Sequence, residues 1–587
     1  MPTTSSVRTG RACHHPAGVL AITDAAVAAR TTFAPDTVRS ERPKGHRGMA
    51  DEVQTTDDAA APDEGGSKGK NLVLAAMIFA VSMTFIDMTI VSIAIPEVQK
   101  ELELSATGVQ WVVNAYLLSL AALFAFGGRI GDIVGHKKMV LLGVVIFAGA
   151  STMCGLTPTG GAAETWIIVF RAVQGLGAAL MFPAALAIVV ASFPFAERGK
   201  AMAIFFAVAG GLTAVGPLLG GYLSEWTWRS IFWVNIPVAV IAIILTLRCK
   251  PIDTWQKARI DVGGLVLIVL GMGLSVLGFQ QASDWGWTDP KTLVCIAVGL
   301  LLLVAFVAYE HRPASPLVNM KIFRVRAFFV QNAVLFFSMM AFVPVFFFAS
   351  MYAQISLGSD SSEAGLYLLT FFAGYAPAAQ VGGRMLDSTG AKRPVVVGSI
   401  IAAVGFYLWA GQVTDIEAGL NGQWYFIVLT GAGMGLMLGP ANTDAINRAP
   451  VTAYGEATGI TQTIRNYGSS VGMALLGTLL INQNRSHIED TLSGFGLSKS
   501  QADAVAQSLS QSGGGDSSQL TSHASSSQVA EIYKAVQGDF AQSIKTVFIG
   551  MAVAMVVSAV IGFVGLQKGK QEGEVTALPG DDPAPAT

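Results

Sequence analysis

Charge is the first thing this chain has little of. Only 13% of its 587 residues are Asp, Glu, Lys or Arg, whereas soluble domains carry about a quarter, so a string of soluble domains is a poor fit and a membrane class a good one. No sign of charge is in excess: 37 Lys and Arg face 39 Asp and Glu, for a net −2. Without a basic surplus, nucleic acid is not an expected partner. Cysteine is scarce as well. Cys13, Cys154, Cys249 and Cys295 lie far apart and form no C-x-x-C pair, so neither a metal site nor a disulfide framework is indicated.

Enzyme signatures are missing in the same way. There is no H-E-x-x-H helix and no G-x-S-x-G turn, the marks of zinc peptidases and serine hydrolases. The nearest approach to a phosphate loop, Gly65-Gly66-Ser67-Lys68-Gly69-Lys70-Asn71, lacks the spacing and the Ser/Thr that must follow Lys. ATP-driven pumping is therefore not expected, and neither is an enzyme or any cofactor. No basic, apolar and small-residue signal pattern precedes Asn71. Residues 1–70 read as a disordered tail, and the first 48 differ so much from the rest that translation is expected to begin at Met49.

Long apolar runs are what the chain has in abundance: 52% of it is hydrophobic. A window of about 19 residues predicts helices at 72–95, 108–128, 139–157, 165–191, 201–223, 231–247 and 262–281, then at 292–309, 328–350, 364–386, 395–413, 424–446, 457–481 and 546–566. This is an all-α polytopic membrane protein of 14 transmembrane helices. Cytoplasmic loops retain Lys and Arg. Lys137 and Lys138, Arg198 and Lys200, Arg248, Lys250, Lys257 and Arg259, Arg312, Lys321, Arg324 and Arg326, and Lys392 and Arg393 all fall in loops of one parity. Both termini are thus predicted to be cytoplasmic. The connection 482–545, rich in Ser, Gln and Gly and containing Gly513-Gly514-Gly515, is expected to be a long extracytoplasmic flap, with at most a short interfacial helix from Val529 to Phe540.

The chain also repeats itself. Gly128-Arg129-Ile130-Gly131-Asp132-Ile133-Val134-Gly135-His136-Lys137-Lys138 after the second span matches Gly383-Arg384-Met385-Leu386-Asp387-Ser388-Thr389-Gly390-Ala391-Lys392-Arg393 after the tenth. Such repetition marks transporters built from two helical halves. It divides the chain into a tail (1–70), a six-helix bundle (71–250), two linking helices (251–326), a second six-helix bundle (327–567) and a C-terminal tail (568–587). The arrangement is 6+2+6, with a pathway expected between the bundles.

Ionisable groups inside hydrocarbon are costly, so each needs an account. Asp87 lies about 12 Å below the outer end of span one and Arg171 roughly 10 Å into span four, at 1.5 Å per residue. At one level they form either a static ion pair that fixes packing or a proton-exchanging pair. Arg465 in span thirteen, and Gln110, Asn114 and Tyr116 in span two, could line a cavity or bond helix to helix. Asp444 near the end of span twelve reads as a solvated carboxylate. Asp132 and Asp387, each in a Gly-rich turn beside basic residues, form either a tight turn with solvated charges, which explains one segment more easily than two in register, or a gate whose bonds exist in only one conformation. Gly210, Gly211, Gly216, Pro217, Gly220 and Gly221 allow close backbone approach and a bend.

With those motifs in place, the chain resembles the major facilitator superfamily, and within it the fourteen-span drug:proton antiporters of bacteria. The likeness rests on Gly128 to Lys138, on Ile86-Asp87-Met88-Thr89-Ile90-Val91 with Ile95-Pro96, and on Arg171 with Gln174-Gly175. Gly216-Pro217 with Gly220-Gly221, and Trp228-Arg229 with Asn235-Ile236-Pro237, extend it. Two positions depart: Leu212 stands where the helix-five motif has Gly, and His136 stands where the loop signature has Arg. The resemblance implies multidrug efflux and antibiotic resistance: export of amphipathic or cationic small molecules across the bacterial cytoplasmic membrane, driven by the proton motive force. Asp87 and Arg171 would then handle protons, and Asp132, with Gly128, Arg129, Gly135, Lys137 and the matching Arg384 and Asp387, would gate. A monomer in the lipid bilayer is the expected functional unit. The alternative is a dedicated exporter of one metabolite or self-made antibiotic; a membrane enzyme or non-transporting sensor has less in its favour.

Overall fold

The computed structural model describes residues 64–249, 261–313, 316–448, 454–495 and 526–569. The start at Met49, Cys13, Lys250, Lys257, Arg259 and Gly513-Gly514-Gly515 lie outside the described residues, as do nearly all of both expected tails. Every regular element among the described residues is helical. In order they are α1 (Glu64–Leu102), α2 (Ala106–Val134), α3 (His136–Gly155), α4 (Ala163–Ser192), α5 (Phe195–Trp226), α6 (Ser230–Trp233), α7 (Asn235–Arg248), α8 (Val262–Trp285) and α9 (Pro290–Tyr309). After a 3-10 turn (Met320–Arg324) come α10 (Arg326–Ile355), α11 (Ser361–Thr389), α12 (Lys392–Gln412), α13 (Gly419–Asn447), α14 (Tyr454–Gly494) and α15 (Ser526–Gly565).

Eleven stretches among the described residues are long and apolar enough to cross a membrane, so the protein is multi-pass. The helices α5, α11 and α14 are outside that set, and they pack on helices distant in sequence: α5 on α11, and α14 on α2. A helix whose neighbours are helices does not need an apolar surface all round.

Three boundaries differ from the sequence expectation. The predicted span 231–247 is broken at Val234 into α6 and α7, because Pro237 has no N–H to continue the ladder. The Ser151 hydroxyl takes up the Phe232 carbonyl at 2.8 Å, and Asn235 in turn donates to Ser151 at 3.0 Å. The stretch 482–545 is not a loop throughout: α14 continues to Gly494 and α15 begins at Ser526. At about 1.5 Å per residue, the 41 residues of α14 exceed a hydrocarbon core of about 30 Å. Ile488 and Leu492 on one extension and Ile532 and Val536 on the other are buried, and His487 bonds Ser543 at 3.1 Å. At the other end of the chain, α1 begins at Glu64, inside the segment expected to be tail.

The sequence repeat is also a repeat of backbone contacts. A Cβ on Gly127 would overlap the Ala179 carbonyl, and one on Gly382 would overlap the Leu436 carbonyl, so α2 crosses α4 as α11 crosses α13. Gly135 (φ 106°) and Gly390 (φ 83°) end α2 and α11 in the conformation that favours glycine. Likewise α5 approaches α1 at the Ile86 and Ile90 carbonyls, and α14 approaches α10 at the Phe336 and Met340 carbonyls. The α1 and α10 crossings match Asp87 with Phe337, and Gly175 at the Tyr116 carbonyl, paired with Gly431 at the Phe371 carbonyl, matches Arg171 with Ile427 and Tyr116 with Phe371.

The hairpin α8–α9 has no counterpart in that repeat. Asp261 caps α8 by accepting from the Gly264 N–H at 2.9 Å, and Asp289 caps α9 ahead of Pro290. The helix α8 lies along both α2 and α14, while α9 packs mainly on α8 and leaves Leu293, Val294, Leu301 and Val304 exposed. Such a bare apolar face suits lipid.

Candidate functional site

Asp87 sits close to the middle of the apolar stretch Gly69–Leu102, and Arg171 on α4 reaches it directly. The Arg171 Nη1 donates to both carboxylate oxygens of Asp87, at 2.7 and 3.0 Å. Its Nε donates to the Val112 carbonyl at 2.8 Å, which ties the pair to α2. Gln174, one turn beyond Arg171, closes the cluster. Its carbonyl accepts from Arg171 at 2.7 Å, and its amide donates to Asp87 at 2.9 Å. The Tyr116 ring faces the guanidinium, its centroid 4.6 Å from Arg171 Cζ, and its hydroxyl donates to the Thr84 carbonyl at 3.4 Å. Asp87 and Arg171 are each 1% exposed. In a medium of low dielectric a paired charge is held strongly, and an unpaired one is costly.

Gln174 is the participant that charge-based reading of the sequence passed over. It stands three residues after Arg171, so both lie on one helix face, and that spacing was the available signal. Tyr116 is placed under the ion pair, fully buried. Asn114 belongs to the seam between helices: its side-chain amide lies 2.6 Å from that of Gln280 on α8, and it accepts from Ser470 on α14. Gln110 faces Gly477 of α14, and its Oε1 is buried without a bond. It borders a small cleft with Gln99, Phe347, Met351 and Asn484.

The helix-five motif divides its work. Gly216 and Gly220 let α5 lie against α1 at Thr89 and Ile90, where Thr89 also donates to the Thr213 carbonyl at 3.0 Å. Pro217 and Gly221 face the opposite bundle: a Cβ on Gly365 would meet the Pro217 carbonyl at 2.6 Å, and one on Gly221 the Ser361 carbonyl at 2.7 Å. This crossing is at the outer end of the seam, in the sense of the basic-loop prediction. Gln354 donates there to the Ile93 carbonyl at 2.8 Å, and Ser361 to Glu97 at 2.9 Å. Towards the other end of α11, Ala376, Pro377, Gln380, Val381, Arg384 and Asp387 are exposed. At the outer end, α1 and α5 are in direct contact with α10 and α11.

At the loop signature, His136 stands 3.2 Å from Asp132, and Arg129 stands 4.0 Å from it. The His that replaces Arg is thus the closer partner of Asp132. Lys137 donates to the Cys249 carbonyl at 2.8 Å and reaches Leu247, neutralising the carbonyl end of α7. Gly128 faces Pro183 of α4. Trp228 and Arg229 both bond Glu101, which buckles the outer end of α1 to the turn before α6. Asp444 is a correction: it is 4% exposed, accepts from Arg448 at 3.1 Å and from Gln331 at 2.7 Å, and is not a solvated end residue. Among the described residues no group of three or more His, Cys, Asp or Glu could hold a metal ion.

The family profile of the Major Facilitator Superfamily matches residues 77–473. The tetracenomycin C resistance and export protein of Streptomyces glaucescens is 32% identical over 413 residues, which covers 70% of this chain and 76% of that protein. A multidrug resistance protein of Mycobacterium tuberculosis is 31% identical over 416 residues, covering 70% of this chain and 75% of its own. Among solved structures, a bacterial homologue of the human lysosomal transporter Spinster, in an inward-facing and occupied conformation, superposes with a TM-score of 0.55. Its identity is 15%, over 85% of this chain and 97% of that one, a likeness of fold.

Proposed function

The chain belongs to the Major Facilitator Superfamily, and from that premise we propose that it is a proton-coupled exporter of amphipathic, drug-like molecules working by alternating access. The observation that carries this reading is the sealed Asp87–Arg171–Gln174 cluster, a titratable acid held by a fixed cation at mid-depth. When Asp87 is ionised, Arg171 and Gln174 satisfy it. When it takes a proton from the outer side, the charge attraction to Arg171 is lost and α1 is freed to move relative to α4. Release of that proton to the cytoplasm restores the pair. The exchange couples one proton's inward passage to the movement of the bundles, and it uses no cofactor.

The remaining parts take roles in that cycle. Helices α1–α7 and α10–α15 are the two moving halves, and α8–α9 is an insertion along their seam, the 6+2+6 plan. Asp132 and its neighbours act at the cytoplasmic gate, with both termini on that side of a bacterial plasma membrane. The unit is a monomer, a carrier and not an enzyme. The names of the relatives include both a single-compound exporter and a multidrug protein, which keeps the dedicated-exporter reading alongside; a panel of unrelated dyes separates the two.

The test is gradient-driven transport in everted vesicles by the wild type and Asp87→Asn. The variant is expected to bind substrate but lose gradient-driven accumulation. Full gradient-dependent transport by Asp87→Asn would remove Asp87 from coupling.

A further inference from the structure

Charged side chains set between helices, away from helix ends, are few among the described residues, and most are matched. Asp87 has Arg171, and Asp444 has Arg448. Arg465 has no such partner. It lies on α14 eleven residues after Tyr454, roughly 16 Å along the helix. Its Nη1 donates to Gln462 at 2.7 Å and to Asn442 on α13 at 3.3 Å, both neutral amide oxygens. Its Nε is buried without a bond. No carboxylate among the described residues forms an ion pair with it.

What lies nearby is aromatic. Tyr375 on α11 is its ionisable neighbour, stacked on Phe371 at 6.2 Å and tilted against Phe342 of α10 at 5.7 Å. Arg465 and Tyr375 are both partly exposed, and the side chain of Arg465 reaches α13 at Asn442. A guanidinium at this depth costs several kcal/mol unless something answers its charge, and two amide oxygens answer only part of it.

We infer that Arg465 is the recognition point for an anionic group on the exported molecule, a carboxylate or comparable pair of oxygens joined to an aromatic body. The fork of a guanidinium matches two such oxygens, and Tyr375, partly exposed and backed by the buried rings of Phe342 and Phe371, offers an aromatic surface for the ring system. The inference rests on the export reading and narrows it. With the Asp87–Arg171 pair neutral overall, the unanswered charge is positive, which favours anionic amphiphiles and disfavours the permanently cationic ones the sequence also suggested.

The experiment uses the purified full chain in proteoliposomes with an imposed proton gradient and two probes, fluorescein (anionic) and ethidium (cationic). The wild type is expected to move fluorescein. Losing a charge-assisted pair worth about 1.5–3 kcal/mol weakens fluorescein binding and transport roughly ten- to hundredfold in Arg465→Gln. Arg465→Lys keeps the charge and recovers part of that loss, and ethidium handling does not fall in either variant. Fluorescein binding by Asp87→Asn, read by anisotropy, stays at the wild-type level and separates recognition from coupling. Unchanged fluorescein transport by Arg465→Gln, or an equal fall for both dyes, overturns the inference. If the wild type moves ethidium and not fluorescein, export stands and the anion site falls; if it moves neither dye, the export reading itself fails.

Discussion

The two halves of the repeat share their backbone crossings and differ in how they handle charge. In the first, Asp87 and Arg171 are buried, bidentate and closed by Gln174 and Tyr116. In the second, the matching positions are Phe337, Ile427 and Phe371, and Arg465, a cation with neutral partners, sits on α14. Glycine spacing therefore fixes where helices cross, while the chemistry at each crossing is free to diverge. One half holds a pair that can exchange a proton, and the other presents a charge to whatever enters.

Removing one member of the buried pair is the sharpest way to break this comparison. Arg171→Met takes away the cation that answers the buried Asp87, a cost of about 3–5 kcal/mol. Arg465→Met removes charge-assisted hydrogen bonds to Asn442 and Gln462, but it also removes a charge that nothing fully answers, so the two effects offset and the net loss is expected to be well below that of Arg171→Met. The double variant Asp87→Leu/Arg171→Met is expected to recover most of the stability lost by Arg171→Met, though not transport. Thermal unfolding of the purified protein checks all three. Equal losses for Arg171→Met and Arg465→Met would erase the distinction between the halves.

Much of this was legible in the sequence because membrane helices announce themselves by length and apolarity, and because Gly, Asp and the basic pair recur in register. Asp87 and Arg171 were legible because charge is rare in these spans. Gln174 was legible only as part of the motif that begins at Arg171, since a neutral amide carries no charge signal of its own. Asp444 was misjudged for a related reason: depth along a helix says nothing about the neighbours Gln331 and Arg448 supply. The extensions of α14 and α15 were hidden by their Ser- and Gln-rich composition, which reads as loop until Ile488, Leu492, Ile532 and Val536 are seen to pack.

The outer seam offers the next test, since it is where the halves touch most closely. Gly365→Leu places a side chain against the Pro217 carbonyl, and overpacking of this kind costs about 1–3 kcal/mol. That shifts the balance between closed and open outer mouths roughly 5- to 150-fold. In a background lacking the native cysteines, Gln354→Cys should become labelled by an impermeant maleimide at the outer face, with export falling in step. Unaltered labelling would show that the α5–α11 crossing does not hold the mouth shut. A smaller effect is expected where α2 meets α14. A double-mutant cycle of Asn114→Ala and Ser470→Ala should give a coupling of about 0.6 kcal/mol, as interhelical bonds in membranes do.

The smallest effect concerns charge that is neither paired nor presented to a ligand, at the root of the α8–α9 hairpin. Glu310 is 3% exposed, and its Oε2 accepts from the Val318 N–H at 3.2 Å. Its Oε1 has no bond and, like the unbonded Oδ2 of Asp261, lies against Gly264. Burial, with a contribution from Asp261's charge and against the Val318 bond, pushes the Glu310 carboxyl from its ordinary 4.5 up to about 6. Tyr309 and Glu456 are the other ionisable groups nearby. Because the folded protein keeps this proton at pH values where the unfolded chain has lost it, the contribution to stability is complete below about pH 4.5 and disappears as pH rises through about 6. Glu310→Gln holds the site neutral throughout. Its melting temperature should match the wild type near pH 4.5 and exceed it at pH 7.5, the gap opening across that window. A gap independent of pH would mean that the substitution acts through the Val318 bond and the packing of the connector, leaving ionisation of Glu310 with no part in it.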